Sequence, residues 1–232
     1  MKKILMLVVL WMLGQGAHGA DQRFTVVTVD VRHQKLQLFL TDEETRPFNG
    51  FARLAAWLER RGGKLDFAVN AGMFHADFGP VGLLVQDGRQ VAPLNLADGT
   101  GNFFLKPNGV FLVTAAGAQV VESSAYPAVK GKVRLATQSG PVLVLDGVMH
   151  PGFRAESQSR NIRNGVGVAN GKVLFVISEV PVTFYEFAAF FRDELKCRNA
   201  LYLDGAISRL YSARLKRNDG GANLGPILGV VR

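Results

Sequence analysis

Four Asn-Gly or Asp-Gly dipeptides, each between two apolar segments, constrain the fold of this chain more than any other feature. They are Asp87-Gly88, Asn108-Gly109, Asp146-Gly147 and Asn170-Gly171. Both central residues of a type I′ turn have positive φ, which Asn, Asp and Gly tolerate, and the twist of this turn matches that of paired antiparallel strands. Four such signals predict largely antiparallel sheets built from hairpins.

Two other segments have the spacing of helices. The first repeats apolar residues from Phe51 to Leu58 and is expected to end at Gly62-Gly63. The second begins at Thr183, which has capping-box spacing with Glu186. The predicted fold class is therefore α/β of the α+β type, with mixed, largely antiparallel sheets, hairpins and about two main helices.

The first twenty residues have the three parts of a secretory signal peptide. Lys2 and Lys3 precede the apolar run Ile4–Leu13, and small residues follow as far as Ala20. The run is shorter than the roughly 20 residues that a membrane-spanning helix needs. We therefore predict cleavage near Gly19 or Ala20, a periplasmic or secreted location and no stable membrane insertion after cleavage. An uncleaved membrane anchor is the alternative.

One domain is expected over residues 21–232, because no linker, repeat or low-complexity tract divides them. The composition, 48% hydrophobic and 20% charged, is that of a globular protein. The only cysteine, Cys197, cannot form an internal disulfide and is expected to be buried and unreactive. The formal charge of +8 suits anionic substrates, and no nucleic-acid-binding motif is present.

Polar segments stand where four predicted strands end or begin. They are Asn70–His75, Gln138–Pro141, Ser159–Gly165 and Leu203–Ser208. Glycines in them would let a ligand approach the backbone closely. Their amide, hydroxyl, guanidinium and carboxylate groups suit a sugar phosphate. Any one segment alone could be an ordinary turn.

Taken in this order, the segments resemble the phosphodiester glycosidase family. The resemblance is carried by Asn70, Gly72, Phe74, Ser139-Gly140, Arg163 followed by Val166-Gly167, and Leu203-Asp204-Gly205 with Ser208. The family includes the lysosomal enzyme that removes N-acetylglucosamine from the mannose 6-phosphate marker, and this sequence is more similar to a bacterial exported branch. The similarity spans Phe67 to Val231. Ala206-Ile207 replaces two glycines of the lysosomal enzyme, so the substrate could differ.

The resemblance implies an exported hydrolase that breaks a sugar–O–phosphate link at the anomeric carbon and releases a sugar and a phosphate monoester. Cell-envelope or exopolysaccharide glycans are the expected substrates. We expect Asp204 to be the catalytic carboxylate, Glu179 the second carboxylate, and Arg163 the clamp that holds the phosphate. The expected substrate-binding residues are, besides Arg163, Asn70, Gly72, Phe74, His75, Asn102, Lys106, Ser139, Gly140, Gly205 and Ser208.

No cofactor is expected, because no two histidines have the spacing of metal ligands. A divalent cation held by oxygen ligands that include Asp204 stays open. Two other functions also stay open. A non-catalytic module that binds anionic cell-envelope glycan would not need Asp204, and an ordinary glycoside hydrolase would need two carboxylates that face each other across a cleft.

Overall fold

The computed structural model describes residues 21–221 and 223–232, and the predicted signal peptide, residues 1–20, lies outside them. Within the described residues 16 strands form three sheets, in which all strand pairs are antiparallel. Two short helices, α1 (Phe51–Glu59) and α2 (Phe184–Ala189), accompany the sheets. The predicted α+β fold with mostly antiparallel sheets is confirmed.

Each sheet combines strands that are distant in sequence. In spatial order, sheet 1 contains β1 (Phe24–Val29), β12 (Lys172–Ser178), β11 (Asn164–Ala169), β13 (Asn199–Tyr202), β9 (Val142–Leu145) and β10 (Val148–Met149). Sheet 2 contains β15 (Arg217–Asn218), β14 (Leu210–Ser212), β3 (Leu65–Asn70), β16 (Ile227–Val231) and β2 (Lys35–Phe39). Sheet 3 contains β5 (Arg89–Ala92), β4 (Leu84–Gln86), β8 (Leu135–Ser139), β6 (Gly109–Thr114) and β7 (Gly117–Glu122).

Three of the four predicted turns join hairpins. Asp87, Asp146 and Asn170 all have φ between 50° and 52°, and each is followed by a glycine with positive φ. The prediction for Asn108-Gly109 is wrong. Asn108 is buried and donates through Nδ2 to the Phe103 carbonyl at 2.9 Å, while Gly109 starts β6, which pairs on both sides. A glycine suits this position because a Cβ would clash with a valine of β9.

The three sheets pack around one central core. Phe67 of β3, Phe111 of β6 and Phe175 of β12 contribute one aromatic ring from each sheet. The Phe175 ring lies 5.1 Å from Phe67 and 6.0 Å from Phe111, between ring centroids. Such aromatic pairs stabilise the core beyond the area that they bury. Strands that are far apart in sequence are therefore held with their ends close together.

The helices cover the outer faces of two sheets. α1 packs Phe51, Leu54 and Leu58 against sheet 2, and α2 packs Phe187 against sheet 1. The predicted capping box at Thr183 is present, with the Thr183 N–H donating to Glu186 Oε2 at 2.8 Å and the Glu186 N–H donating to Thr183 Oγ1 at 3.1 Å. A π-helical turn, Phe190–Glu194, extends α2. Among the described helices none has the length and apolar character needed to span a bilayer.

Cys197 follows that turn and packs in the same outer cluster as α2. The thiol is buried, and burial raises its pKa to about 12. Because the thiolate is the reactive form, a thiol with so high a pKa is inert at neutral pH. The expectation of a buried cysteine is confirmed.

Candidate functional site

The candidate site lies where strands from all three sheets end next to one another. β3 of sheet 2 ends at Asn70, β8 of sheet 3 ends at Ser139, and in sheet 1 β13 ends at Tyr202 beside the start of β11 at Asn164. The Ser139 hydroxyl donates to the Leu203 carbonyl, and Asn164 Nδ2 donates to the Asn70 carbonyl at 3.2 Å. Hydrogen bonds therefore join the three sheets at this point.

Two buried asparagines form the centre of the junction. Asn164 Nδ2 donates to Asn70 Oδ1 at 3.0 Å, and Asn70 Nδ2 donates to the Asp204 carbonyl at 3.2 Å. The Asp204 N–H donates in turn to Asn164 Oδ1 at 3.2 Å. The Ser208 hydroxyl donates to the Asp204 carbonyl at 3.0 Å. Because a fully satisfied buried polar network is rigid, the main chain of Asp204 is held in one position.

The Asp204 loop, which we define as residues Leu203–Arg209, carries the carboxylate of this network. The Asp204 side chain is half-buried and accepts a hydrogen bond from the Ala206 N–H at 3.1 Å. Burial raises the pKa of Asp204 to about 6, and the bond from Ala206 opposes this rise. No basic side chain among the described residues forms an ion pair with it. A carboxyl group with a pKa near neutrality can both accept and return a proton.

Arg163 is not an open phosphate clamp in this structure, contrary to the expectation from the sequence. Its side chain is 1% exposed. Nε donates to the Val182 carbonyl at 2.9 Å, Nη2 donates to the Ser159 carbonyl at 3.1 Å, and Nη1 lies 3.5 Å from the Tyr202 hydroxyl. Each nitrogen of the guanidinium already has a partner within the protein, and burial lowers the pKa of the group.

Arg163 belongs to a stack that we call the aromatic ladder, made of His150, Phe153, Phe184 and Arg163. The centroids of His150 and Phe153 lie 4.7 Å apart, those of Phe153 and Phe184 lie 5.0 Å apart, and Arg163 Cζ lies 3.7 Å from the Phe184 centroid. Cation–π attraction of this kind is strongest when the cation is desolvated. The ladder therefore holds a buried positive charge that no carboxylate of the described residues neutralises.

Tyr202 connects the aromatic ladder to the Asp204 loop. Its ring packs edge-on against Phe184 at 4.8 Å, and its hydroxyl contacts Arg163. A Cβ added at Gly205 would overlap the Tyr202 hydroxyl, so only glycine allows the loop to pass this close. Burial raises the pKa of Tyr202 to about 12, so its hydroxyl stays protonated and can donate.

A cleft of about 480 Å³ lies beside the Asp204 loop. The predicted site residues Glu179, Gly205 and Ser208 line it. Glu179 is exposed and forms an ion pair with Arg217, which also pairs with Asp219 at 2.9 Å. Because Arg217 already balances its charge, Glu179 has little electrostatic influence on a molecule bound in the cleft, and Asp204 is not among the residues that line the cleft. The volume of the cleft is within the range of small-molecule sites.

Other predicted site residues have structural surroundings of their own. Gly72 donates through its N–H to Thr137 Oγ1 at 3.1 Å, and its Cβ position is filled by the Gln138 carbonyl. Phe74 stacks on Phe78 with ring centroids 5.8 Å apart. Gly140 is buried against the turn that begins at exposed Asn102.

Two predicted basic residues are exposed and outside the asparagine network. Lys106 Nζ donates to Asp98 Oδ1 at 2.6 Å and to the Leu96 carbonyl at 3.0 Å. His75 lies in a tight turn closed by its main-chain bond to Gly79 at 2.8 Å. Within residues 21–221 and 223–232, neither side chain hydrogen-bonds to Asn70, Asn164 or the Asp204 loop. A part for them in substrate binding stays a prediction.

Three residues of the site were not among the predicted ones. Asn164 completes the amide pair with Asn70, Tyr202 contacts Gly205, and Arg209 donates its N–H to Asn70 Oδ1 at 2.9 Å. Asn164 could have been found from the sequence, because it stands at the start of a buried strand as Asn70 stands at the end of one. Tyr202 gives no such signal, because in the sequence it is one more residue of the apolar strand β13 and has the pattern of a core residue.

A metal site is not evident in the described part of the chain. No group of three or more His, Cys, Asp or Glu side chains is placed there to hold an ion. Asp204 is the only carboxylate of the asparagine network within the described residues. Use of a divalent cation stays a prediction that this arrangement does not test.

Comparison with known proteins relates this chain to one family. The model of a family described as phosphodiester glycosidase (NAGPA) matches residues 63–230. Protein YigE of Escherichia coli K12, which is described as uncharacterized, is 39% identical over 195 residues, or 83% of this chain and 76% of YigE.

Two solved structures are similar in fold. The catalytic domain of zebrafish N-acetylglucosamine-1-phosphodiester alpha-N-acetylglucosaminidase, auto-inhibited by its pro-peptide, matches with a TM-score of 0.54 and 15% identity, covering 90% of this chain and 88% of that one. A Burkholderia pseudomallei protein that is described as exported matches with a TM-score of 0.52 and 15% identity, covering 89% and 73%. At such identity, these two structures support the fold alone.

Proposed function

Because this chain belongs to the phosphodiester glycosidase family, we propose that it hydrolyses the bond between the anomeric carbon of a sugar and the oxygen of a phosphodiester. The products are a free sugar and a phosphate monoester. We further propose that it acts outside the cytoplasm on glycans of the cell envelope or an exopolysaccharide. The charged start and short apolar run of residues 1–20 support export.

One observation carries the proposal most directly. Asp204 is a half-buried carboxylate with a pKa raised to about 6, and the amide groups of Asn164 in sheet 1 and Asn70 in sheet 2 hold its main chain in place. A general base works best when its pKa is close to the working pH. A phosphate leaving group departs as an anion and so needs less help from a general acid than an alcohol does.

In the proposed reaction, a water oxygen bonds to the anomeric carbon as the bond from that carbon to the phosphate oxygen breaks. The Asp204 carboxylate accepts the proton that the water loses, and the electron pair of the broken bond leaves on the phosphate. The carboxylate also stabilises the positive charge that develops on the sugar ring. Asn70, Asn164 and Ser208 act as positioning residues, since they contact the main chain of Asp204.

The buried positive charge of Arg163, in the aromatic ladder next to the Asp204 loop, supports the same reaction. It lies next to the Tyr202 hydroxyl, which in turn lies against Gly205. A fixed cation in a site of low dielectric stabilises negative charge at little reorganisation cost. Arg163 is therefore proposed to favour an anionic substrate through the electric field rather than by direct contact.

The test is a hydrolysis assay on a panel of sugar-1-phosphodiesters, with neutral aryl glycosides as the comparison, in water enriched in oxygen-18. We expect label in the released sugar and not in the phosphate, because the carbon–oxygen bond breaks. Asp204→Asn should lower kcat/KM by roughly a hundredfold or more. The matched control is Asp193→Asn, an exposed aspartate paired with Arg192, which should change kcat/KM less than about twofold.

Each alternative function has its own outcome. Turnover of neutral glycosides alone would indicate an ordinary glycoside hydrolase. Binding of phosphodiesters without turnover of any of them would indicate a glycan-binding module. Label in the phosphate would show that the phosphorus–oxygen bond breaks, and the proposed reaction would then be wrong.

A further inference from the structure

A second cavity, which we call the Arg209 pocket, adjoins the cleft beside the Asp204 loop. Its volume is about 390 Å³, and Arg209 and Asp219 line both the pocket and the cleft. The other walls are the start of α1, from Phe48 to Arg53, the segment Asn218–Gly221, and Leu224. None of the predicted site residues lines this pocket.

The pocket contains a cation, Arg209, that has an unused donor. Arg209 Nε is buried without a hydrogen-bond partner, and the Arg209 side chain forms no hydrogen bond or ion pair with the described residues. Its main chain is nevertheless fixed, since its N–H donates to Asn70 Oδ1 at 2.9 Å. A buried guanidinium donor without a partner is unfavourable unless a ligand supplies the acceptor.

A buried acceptor without a hydrogen-bond partner belongs to a residue that lines the same pocket. It is Asn49 Oδ1, and Asn49 itself has a φ of 58°. The first turn of α1, which follows, has Gly50 as N-cap with no side-chain cap and no acidic residue. Free N–H groups at a helix start favour an anion. A ligand that satisfies this pocket therefore needs an oxyanion for Arg209 and the helix start, and a hydroxyl donor for Asn49.

We propose that the Arg209 pocket binds the phosphate-side part of the substrate, namely a phosphoryl group on a hydroxylated carbon chain or sugar. This inference rests on the proposed function, because it assigns the position of the group that leaves as a phosphate monoester. Arg209 contacts the phosphoryl oxygens, a contact for which a guanidinium fork is suited. Asn49 accepts a hydrogen bond from a hydroxyl of the same group, so the substrate class is a polyol or sugar linked through phosphate.

The first test measures binding without catalysis. Glycerol 3-phosphate is titrated calorimetrically into the purified protein and into Arg209→Gln. The control is Arg192→Gln, which alters a partly exposed arginine that is paired with Asp193. We expect Arg209→Gln to weaken binding about tenfold or more, and the control to stay within about twofold. Glycerol without phosphate should not bind. The proposal is overturned if the unaltered protein does not bind glycerol 3-phosphate, or if Arg209→Gln binds it equally well.

A second variant separates the role of the pocket from an effect on folding. Asn49→Gly removes the carboxamide and keeps a residue that adopts positive φ easily, so the fold is expected to be preserved. This variant should bind glycerol 3-phosphate several-fold more weakly. Its affinity for inorganic phosphate, which lacks the carbon-bound hydroxyls, should be nearly unchanged. Equal losses for both probes would contradict the contact proposed for Asn49.

The kinetic assay distinguishes failure of this inference from failure of the proposed function. If sugar phosphodiesters are hydrolysed with the same KM and kcat by Arg209→Gln, the pocket is not the phosphate-side subsite, but the hydrolase remains. If Arg209 governs binding of glycerol 3-phosphate while no sugar phosphodiester is hydrolysed, the pocket remains and the proposed hydrolysis is wrong.

Discussion

The aromatic ladder and the Arg209 pocket lie at the two ends of the Asp204 loop, and each is built around an arginine. In the ladder, Arg163 is 1% exposed, stacks on Phe184 and uses its donors on main-chain carbonyls and a tyrosine. In the pocket, Arg209 lies beside open space, and its side chain has no hydrogen-bond partner among the described residues. The aromatic ladder is filled by packed side chains, whereas the Arg209 pocket is an open cavity.

This difference shows that the partners of an arginine decide its role. A guanidinium whose donors are satisfied within the protein contributes a fixed positive charge and holds neighbouring elements together. A guanidinium with unused donors can contact a ligand directly. Arg163, the arginine that the resemblance singled out, is of the first kind, and Arg209 is of the second.

The largest expected effect is a difference in stability between two variants in which the arginine of each region is replaced by glutamine. Arg163→Gln should lower the free energy of unfolding by about 3 kcal/mol, because it removes the stack on Phe184 and leaves buried carbonyls without donors. Arg209→Gln should change it by less than about 0.5 kcal/mol, since its side chain has no contact of that kind to lose. Urea unfolding of both variants measures the difference, and similar losses would show that the two arginines do not differ as described.

The next largest effect is that of Asp204, which lies between the two regions, on the pH dependence of stability. Its folded pKa of about 6 exceeds the usual value of 3.8, so the folded state binds the proton more tightly than the unfolded state. Stability should therefore decrease as pH rises from about 4 to about 6, by at most about 3 kcal/mol. Asp204→Asn should be more stable than the unaltered protein by about 1 to 3 kcal/mol at pH 7.5.

Thermal or urea unfolding at two pH values tests whether Asp204→Asn is more or less stable than the unaltered protein. The gain from Asp204→Asn should disappear near pH 4, where the unaltered carboxyl is protonated in the folded protein. A variant that is less stable at pH 7.5 would mean that a positive group, such as Arg209, already compensates the Asp204 charge. The guanidinium of Arg209 would then be engaged within the protein, as that of Arg163 is.

The smallest effect concerns the link between the ladder and the loop. Tyr202→Phe removes the hydroxyl near Arg163 Nη1 and should lower stability by about 1 kcal/mol, because the bond is long at 3.5 Å. It should also lower kcat more than it raises KM if the hydroxyl conveys the charge of Arg163 to the reacting groups. An unchanged kcat with reduced stability would confine Tyr202 to packing.

Features of the fold that depend on neighbouring residues were predictable from the sequence. The turns at Asp87, Asp146 and Asn170, and the capping box at Thr183, were identified because turn and cap geometry is set within a few residues. Asn108-Gly109 has the same residue types but was misassigned. Its strand pairs on both sides with distant segments, and those pairings override the local preference for a turn.

The site was predictable as a set of segments but not as a geometry. Asn70, Ser139, Asp204 and Ser208 were recognisable because the polar segments that contain them, taken in order, resemble the phosphodiester glycosidase family. Whether Arg163 faces solvent depends on Phe184, Tyr202 and the carbonyls of Ser159 and Val182, which come from separate parts of the chain. No periodicity in the sequence reports such contacts.

The sequence by itself determined the antiparallel character of the sheets, the two helices and the acidic residue on which the proposed chemistry depends. Only the tertiary structure decided which arginine is sealed in and which borders an open pocket. The physical reason is that turns, caps and hydrophobic patterns are short-range properties of the chain. Burial, unused hydrogen-bond donors and a raised pKa depend instead on how three sheets bring distant side chains together.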